Sequence, residues 1–130
     1  MKLPRRESED GAAAVEFALV LPVLLLLIFG IVDFGRMLNA KITINQAARE
    51  GARAAALVDQ DAGVDRATAA AGGLDIETPD VVGCPDEPDP DADATATVTY
   101  TFTFVTPLGI LIGSGGEVEL QSTGVMPCLS

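Results

Sequence analysis

The sequence contains no histidine and no tryptophan, and only two of its 130 residues are cysteines. Without an imidazole to act as general base, Ser/His/Asp and Cys/His nucleophile systems are excluded. Two cysteines and no histidine also provide too few of the usual ligands for a catalytic zinc ion. The composition therefore argues against an enzyme.

Basic side chains are absent from residues 67–130, which carry ten acidic groups and a net charge of −10. Residues 1–66 carry all eight basic groups against nine acidic ones, a net charge of −1. A half-chain that repels phosphate does not bind nucleic acid, so this class of partner is excluded.

Large apolar side chains are concentrated in one uncharged run of sixteen residues, 17–32, with the sequence FALVLPVLLLLIFGIV. The remainder is rich in Ala, Asp and Thr, with few large side chains for a core. The chain length allows one domain rather than two.

Residues 1–33 fit three interpretations, of which a signal peptide is the weakest because Asp33 to Met37 lack a small-x-small cleavage site. A permanent anchor requires about 20 apolar residues. The 21 residues from Ala12 to Val32 are sufficient, although they include Glu16. That carboxylate either snorkels to the membrane edge or has a function. The third interpretation is a prepilin.

The basic residues Lys2, Arg5 and Arg6 precede the apolar run. By the positive-inside bias they predict a cytoplasmic N-terminus, with the acidic half outside the cytoplasm. We therefore expect a single-pass membrane protein.

The residues around the apolar run decide between the anchor and the prepilin. Gly11 stands five positions before Glu16, and the segments VEFALVLP, DFGR and QAAREGAR follow in order. Over residues 11–56 the chain resembles the TadE-like family, minor pseudopilins of the Tad (tight adherence, Flp-type) pilus system.

The resemblance implies cleavage between Gly11 and Ala12 by a membrane-embedded aspartyl prepilin peptidase, with an uncleaved anchor as the alternative. Glu16 would become the fifth residue of the mature chain. In subunit assembly its carboxylate could pair with the new Ala12 ammonium of a neighbouring subunit. The implied partners are the peptidase, other pilins and pseudopilins including the major Flp-type pilin, an inner-membrane assembly platform and a secretion ATPase. The implied location is the bacterial cell membrane or the pilus itself, and no cofactor is implied.

The resemblance also implies a pilin-like α+β fold, in which a long N-terminal transmembrane helix packs on a small antiparallel sheet. We expect a leader over residues 1–11, a transmembrane and extended helix over 12–58, and a small extracytoplasmic α+β domain over 59–130.

The pattern of apolar residues predicts one helix from about Ala14 to Leu57, with a mild kink at Pro22 and a Glu50–Arg53 pair on its surface. One face is formed by Phe34, Leu38, Ile42, Asn45, Ala48, Ala52 and Ala56. This face could pack on the chain's own sheet or on other subunits. We expect the first for residues 48–56 and the second for residues 12–38.

Asp59, Asp61 and Gly63 predict a break, followed by a short helix near residues 64–71. Strict alternation predicts a half-buried strand over residues 95–105 and a second over 117–128, and a short strand near 80–84 completes the sheet. The apolar link TPLGILIGSGG is either a hairpin connection with a turn of helix or a patch that contacts membrane or a partner.

Cys84 and Cys128 both lie in the predicted outer domain. An even number of cysteines outside the cytoplasm favours a disulfide over two unpaired core cysteines.

Asp89, Asp91 and Asp93 match the first, third and fifth positions of a calcium loop. Ala94 and Tyr100 occupy the positions that require Gly and Glu, so the match fails at two places. Pro88 and Pro90 favour an extended, solvated acidic loop, and these aspartates are weak metal candidates.

The sequence thus predicts a TadE-like minor pseudopilin, a membrane-anchored structural and assembly component of a Tad-type pilus used in adhesion or secretion. The alternative is a permanently anchored surface protein whose acidic head binds a ligand or cation and never joins a filament.

Overall fold

The computed structural model describes residues 6–113 and 115–129 and has an α+β arrangement. Its elements, in chain order, are α1 (Arg6–Leu57), α2 (Gln60–Ala70), β1 (Asp80–Val82), β2 (Asp93–Thr103), α3 (Leu108–Leu111) and β3 (Glu117–Pro127). The three strands form one antiparallel sheet in the order β1-β2-β3. This is the long helix with a small antiparallel sheet that the sequence predicts.

The helix α1 is continuous over 52 residues and includes Pro22. At 1.5 Å per residue it is about 78 Å long. It begins at Arg6 rather than near Ala14, so residues 6–11 of the predicted leader are helical. Glu9 and Asp10 lie in its first turns, where carboxylates interact favourably with the helix dipole. Lys2 and Arg5, part of the orientation argument, lie outside the described residues.

The second half of α1 covers the inner face of the sheet with small side chains. The buried residues of this half are Asp33, Ala40, Ile44, Ala47, Ala48, Gly51, Ala52 and Ala55. Of the predicted face, Ala48 and Ala52 are buried, as expected for packing on the chain's own sheet. Phe34 and Leu38 lie in the segment 12–38, for which packing on other subunits is expected. Phe34, Leu38 and Ile42 are 62%, 50% and 51% exposed. The sheet packs closest to the narrow Ala face, and the bulky residues remain outside.

The helix α2 crosses α1 where two glycines meet. A Cβ added to Gly51 would lie 2.8 Å from the Cβ of Ala67 and 3.1 Å from the carbonyl oxygen of Gly63. Gly63 was predicted to break the helix, and this is wrong: it lies inside α2 and permits the close crossing. The break is at Asp59, whose side chain accepts a hydrogen bond from the Ala62 N–H and caps α2.

The strands β2 and β3 pair over their full length, with Val98 opposite Ser122 and Ala96 opposite Gly124. The inner face of β2 is apolar, and its outer face is a row of threonines. Gly124 contacts the backbone of α1, since an added Cβ would lie 2.3 Å from the Ala48 carbonyl oxygen. Sheet and helix are therefore in backbone contact at this point.

Candidate functional site

The first half of α1 carries the residues expected for processing and assembly. Side chains of residues 8–32 are exposed or half-buried. Gly11, Ala12 and Glu16 are all exposed on this helix, and no heavy atom lies within 4 Å of a Cβ added to Gly11. We call residues 59–113 and 115–129, which follow α1, the head. A protease or a neighbouring subunit can reach these three residues without displacing the head.

The helix α1 is long and apolar enough to cross a membrane by length and composition, with a mean hydropathy of 2.8 over its most apolar stretch. It is therefore a candidate membrane anchor. The apolar run ends at Asp33, directly before the half of the helix that packs on the sheet.

Asp33 is buried at this junction and holds the loop that follows β2. Its carboxylate accepts hydrogen bonds from the Val105 N–H at 3.2 Å, from the Thr106 N–H at 3.3 Å and from the Thr106 hydroxyl. A buried carboxylate requires such donors to offset the loss of its hydration. In the sequence, Asp33 stood out only as the charge after the apolar run and as part of the DFGR segment, and this role was missed.

Arg36 completes the junction one turn further along α1. Its guanidinium lies 3.4 Å from the Asp33 carboxylate, donates to the Thr103 carbonyl at 3.2 Å and stands 5.1 Å from the centre of the Phe102 ring. We call Asp33, Arg36 and Thr106 the junction clamp. The available sequence signal was an acidic and a basic residue one helical turn apart at the end of an apolar run.

The opposite end of the head is closed by a disulfide between Cys84 and Cys128, the pair expected from the sequence. It joins the segment after β1 to the end of β3, beside the buried residues Ala52 and Ala55.

The sequence predicts an ion pair between Glu50 and Arg53, and this is wrong. Glu50 instead forms an ion pair with Arg66 of α2, at 3.3 Å. The crossing of α2 over α1 brings Arg66 within reach.

The acidic loop forms a turn rather than a ligand cage. The side chain of Asp89 accepts a hydrogen bond from the Asp91 N–H at 3.0 Å, and Ala92 donates its N–H to the Asp89 carbonyl at 3.2 Å. In the part of the chain that the structure describes, no three Asp, Glu, Cys or His side chains are grouped closely enough to hold a metal ion. Asp93 is the first residue of β2, and its backbone pairs with Pro127 of β3.

These features define a class of protein: an α+β head carried on one helix that is a candidate membrane anchor. Residues 11–53 match the family model described as TadE-like protein, which confirms the resemblance stated from the sequence. The matched segment is about a third of the chain and includes Gly11, Ala12, Glu16, Asp33 and Arg36. The matched family model suggests an association with the Tad pilus. No curated protein and no solved structure matched the chain.

Proposed function

We propose that the protein is a minor pseudopilin that enters or primes a Tad-type pilus serving adhesion or secretion. The observation that carries the proposal is the exposed apolar half of α1 within the matched segment. The buried core is formed by the head together with the second half of the helix, from Ile44 to Ala55. An apolar helix of this length needs either lipid or the helices of other subunits around it.

In this proposal the protein is made as a prepilin, with its N-terminus in the cytoplasm and its head outside. A prepilin peptidase cuts between Gly11 and Ala12, and the helix remains in the membrane until assembly. The open space around Gly11 supports access by such an enzyme. The partners would be other pilins and pseudopilins, an inner-membrane platform and the ATPase that drives assembly.

Glu16 is the assembly residue of this proposal. Its carboxylate is exposed at the start of the apolar run, and cleavage at Gly11 would place an ammonium about 6 Å along the helix axis, at Ala12. Pairing between the Glu16 of one subunit and the Ala12 ammonium of the next would offset the cost of a charge at low dielectric.

The alternative is a permanently anchored surface protein whose acidic head binds a ligand or cation. The turn at Asp89 to Asp93 offers a surface charge and no grouped ligands among the described residues, so it gives this alternative little support.

The intact mass of the protein extracted from its native membrane tests the proposal. We expect a mature chain that begins at Ala12. A mass that retains residues 1–11 in cells that assemble pili would contradict the proposal and favour the permanent anchor.

A further inference from the structure

The connection between β2 and β3 exposes several large aliphatic side chains. Residues 104–116 contain no charged side chain. We call residues 104–113 the apolar loop; in it Ile110, Leu111 and Ile112 are 77%, 71% and 68% exposed. Large neighbouring apolar side chains exposed together indicate an interaction surface.

The apolar loop lies beside the end of the apolar run of α1. The Cδ1 atom of Leu108 is 3.9 Å from the position of a Cβ added to Gly30. Leu108 and Ile112 also line one cavity together with Gly30 and Phe34. Since the run ends at Val32, the loop stands level with the outer end of the candidate membrane span.

Most backbone N–H groups of the apolar loop donate to acceptors within the protein. The N–H groups of Val105 and Thr106, and the hydroxyl of Thr106, donate to Asp33. Further along the loop, N–H groups donate to nearby carbonyls, namely Ile110 and Leu111 to Pro107, Ile112 to Leu108, and Gly113 to Ile110. A backbone that enters hydrocarbon needs such internal partners, because no water is present to replace them.

We propose that the apolar loop is a second membrane contact, which inserts its exposed aliphatic side chains into the outer leaflet beside α1. The surface of the loop is continuous with the apolar run at Gly30 and contacts the cavity wall at Phe34, and the loop has no charge to desolvate. A lipid bilayer is thus the partner with the matching chemistry. The junction clamp fixes the depth of the loop, because Asp33 at the end of the span holds its first residues. The inference rests on the proposed function in that α1 must span the membrane with the head outside.

Depth-dependent fluorescence quenching of the full chain tests this inference. The two native cysteines are bonded to each other, so one introduced cysteine takes a thiol-reactive NBD label alone. Leu111→Cys reports on the loop, with Ile110→Cys as a second site should the first fail to fold. Ile31→Cys reports on the span. Val58→Cys is the matched control, an apolar residue 72% exposed just beyond the other end of the head.

The labelled chains are reconstituted in phosphatidylcholine vesicles with a doxyl quencher on the acyl chain. We expect the loop label about 5–10 Å inside the interface. Its quenching by doxyl should approach that of the Ile31 label and exceed that of the Val58 label severalfold. Iodide in the water should quench in the reverse order.

Two results would overturn the inference while the membrane anchor stands. In the first, the Ile31 label is quenched by doxyl, and the loop label behaves like the Val58 label. In the second, the loop label is shielded from both doxyl and iodide, as it would be against a second copy of the chain. If neither the Ile31 label nor the loop label responds to doxyl, the anchoring in the proposed function is itself wrong, and the inference fails with it.

Discussion

Asp33 and Thr106 are 73 positions apart in the sequence, yet one carboxylate accepts both the N–H and the hydroxyl hydrogen bonds of the threonine. This contact joins the end of the apolar run to the loop that follows β2. It therefore fixes the position along α1 at which the head starts to pack against the helix.

Removing the carboxylate should free this loop. In Asp33→Ala the N–H groups of Val105 and Thr106 lose their acceptor, and buried donors without partners favour opening. We expect their amide hydrogen exchange to rise roughly tenfold or more, measured by mass spectrometry in detergent micelles. Asp65→Ala, an exposed acid on α2, is the control and should leave the loop unchanged. Equal exchange in both variants would show that the clamp does not hold the loop.

The contact of Gly124 with Ala48 leaves no room for a larger side chain at position 124. In Gly124→Ala the new methyl group would meet backbone atoms of α1 at 2.3 Å, so strand and helix must separate. We expect the free energy of unfolding to fall by about 1–3 kcal/mol. Gly73→Ala is the matched control, since nothing lies within 4 Å of its added Cβ. Thermal denaturation of both variants measures the difference, and equal midpoints would refute the close approach.

The disulfide should carry a large share of the stability of the head. It closes a loop with a sequence separation of 44 residues, which corresponds to about 4 kcal/mol in the chain-entropy model. Reducing agent should lower the melting temperature of the native chain and leave the Cys84→Ser/Cys128→Ser double variant unaffected. Recovery of both cysteines as free thiols from the native envelope would contradict this prediction.

In the proposed processing, Gly11→Val should prevent cleavage, because a valine side chain would obstruct close approach of a peptidase to the backbone. The folded chain should tolerate the valine, as no atom lies nearby. Gly35→Val makes the same change on the same helix, also in open space, and should be processed normally. Intact mass distinguishes the two variants. Loss of the leader from Gly11→Val would show that the cleavage site is elsewhere.

Glu16→Gln separates assembly from anchoring. It removes the charge with little change of shape, so insertion and cleavage should persist while piliation falls severalfold. Asp10→Asn is the control, because it changes a charge in the leader and leaves the mature chain identical. Pili are counted by electron microscopy in strains that carry each variant. Normal piliation with Glu16→Gln would mean that Glu16 only snorkels to the interface.

The sequence was sufficient for features that depend on local periodicity. The alternation of threonine with apolar residues predicted β2 and its inner face, and the match of residues 11–53 confirmed the family resemblance. The cysteine count was sufficient for the disulfide pair, because only one pairing exists.

Features that depend on the closest approach between elements were missed. The buried face of α1 consists mostly of Ala and Gly next to the sheet, and it includes Ala40, Ala47 and Ala55, which the predicted face leaves out. Gly63 and Gly124 have the local signature of breakers, and their actual role depends on a partner distant in sequence. The donors that Asp33 binds lie more than 70 positions away.

The strand β2 runs alongside α1, with Thr103 beside Arg36 and Ala96 near Gly51. The head is therefore attached along the helix by a strip of contacts with the junction clamp at one end and the disulfide near the other. A pull along the helix axis loads this whole strip in shear, so its contacts must give way together rather than peel apart one by one. Such an attachment is therefore mechanically strongest when the anchor is pulled along the helix axis.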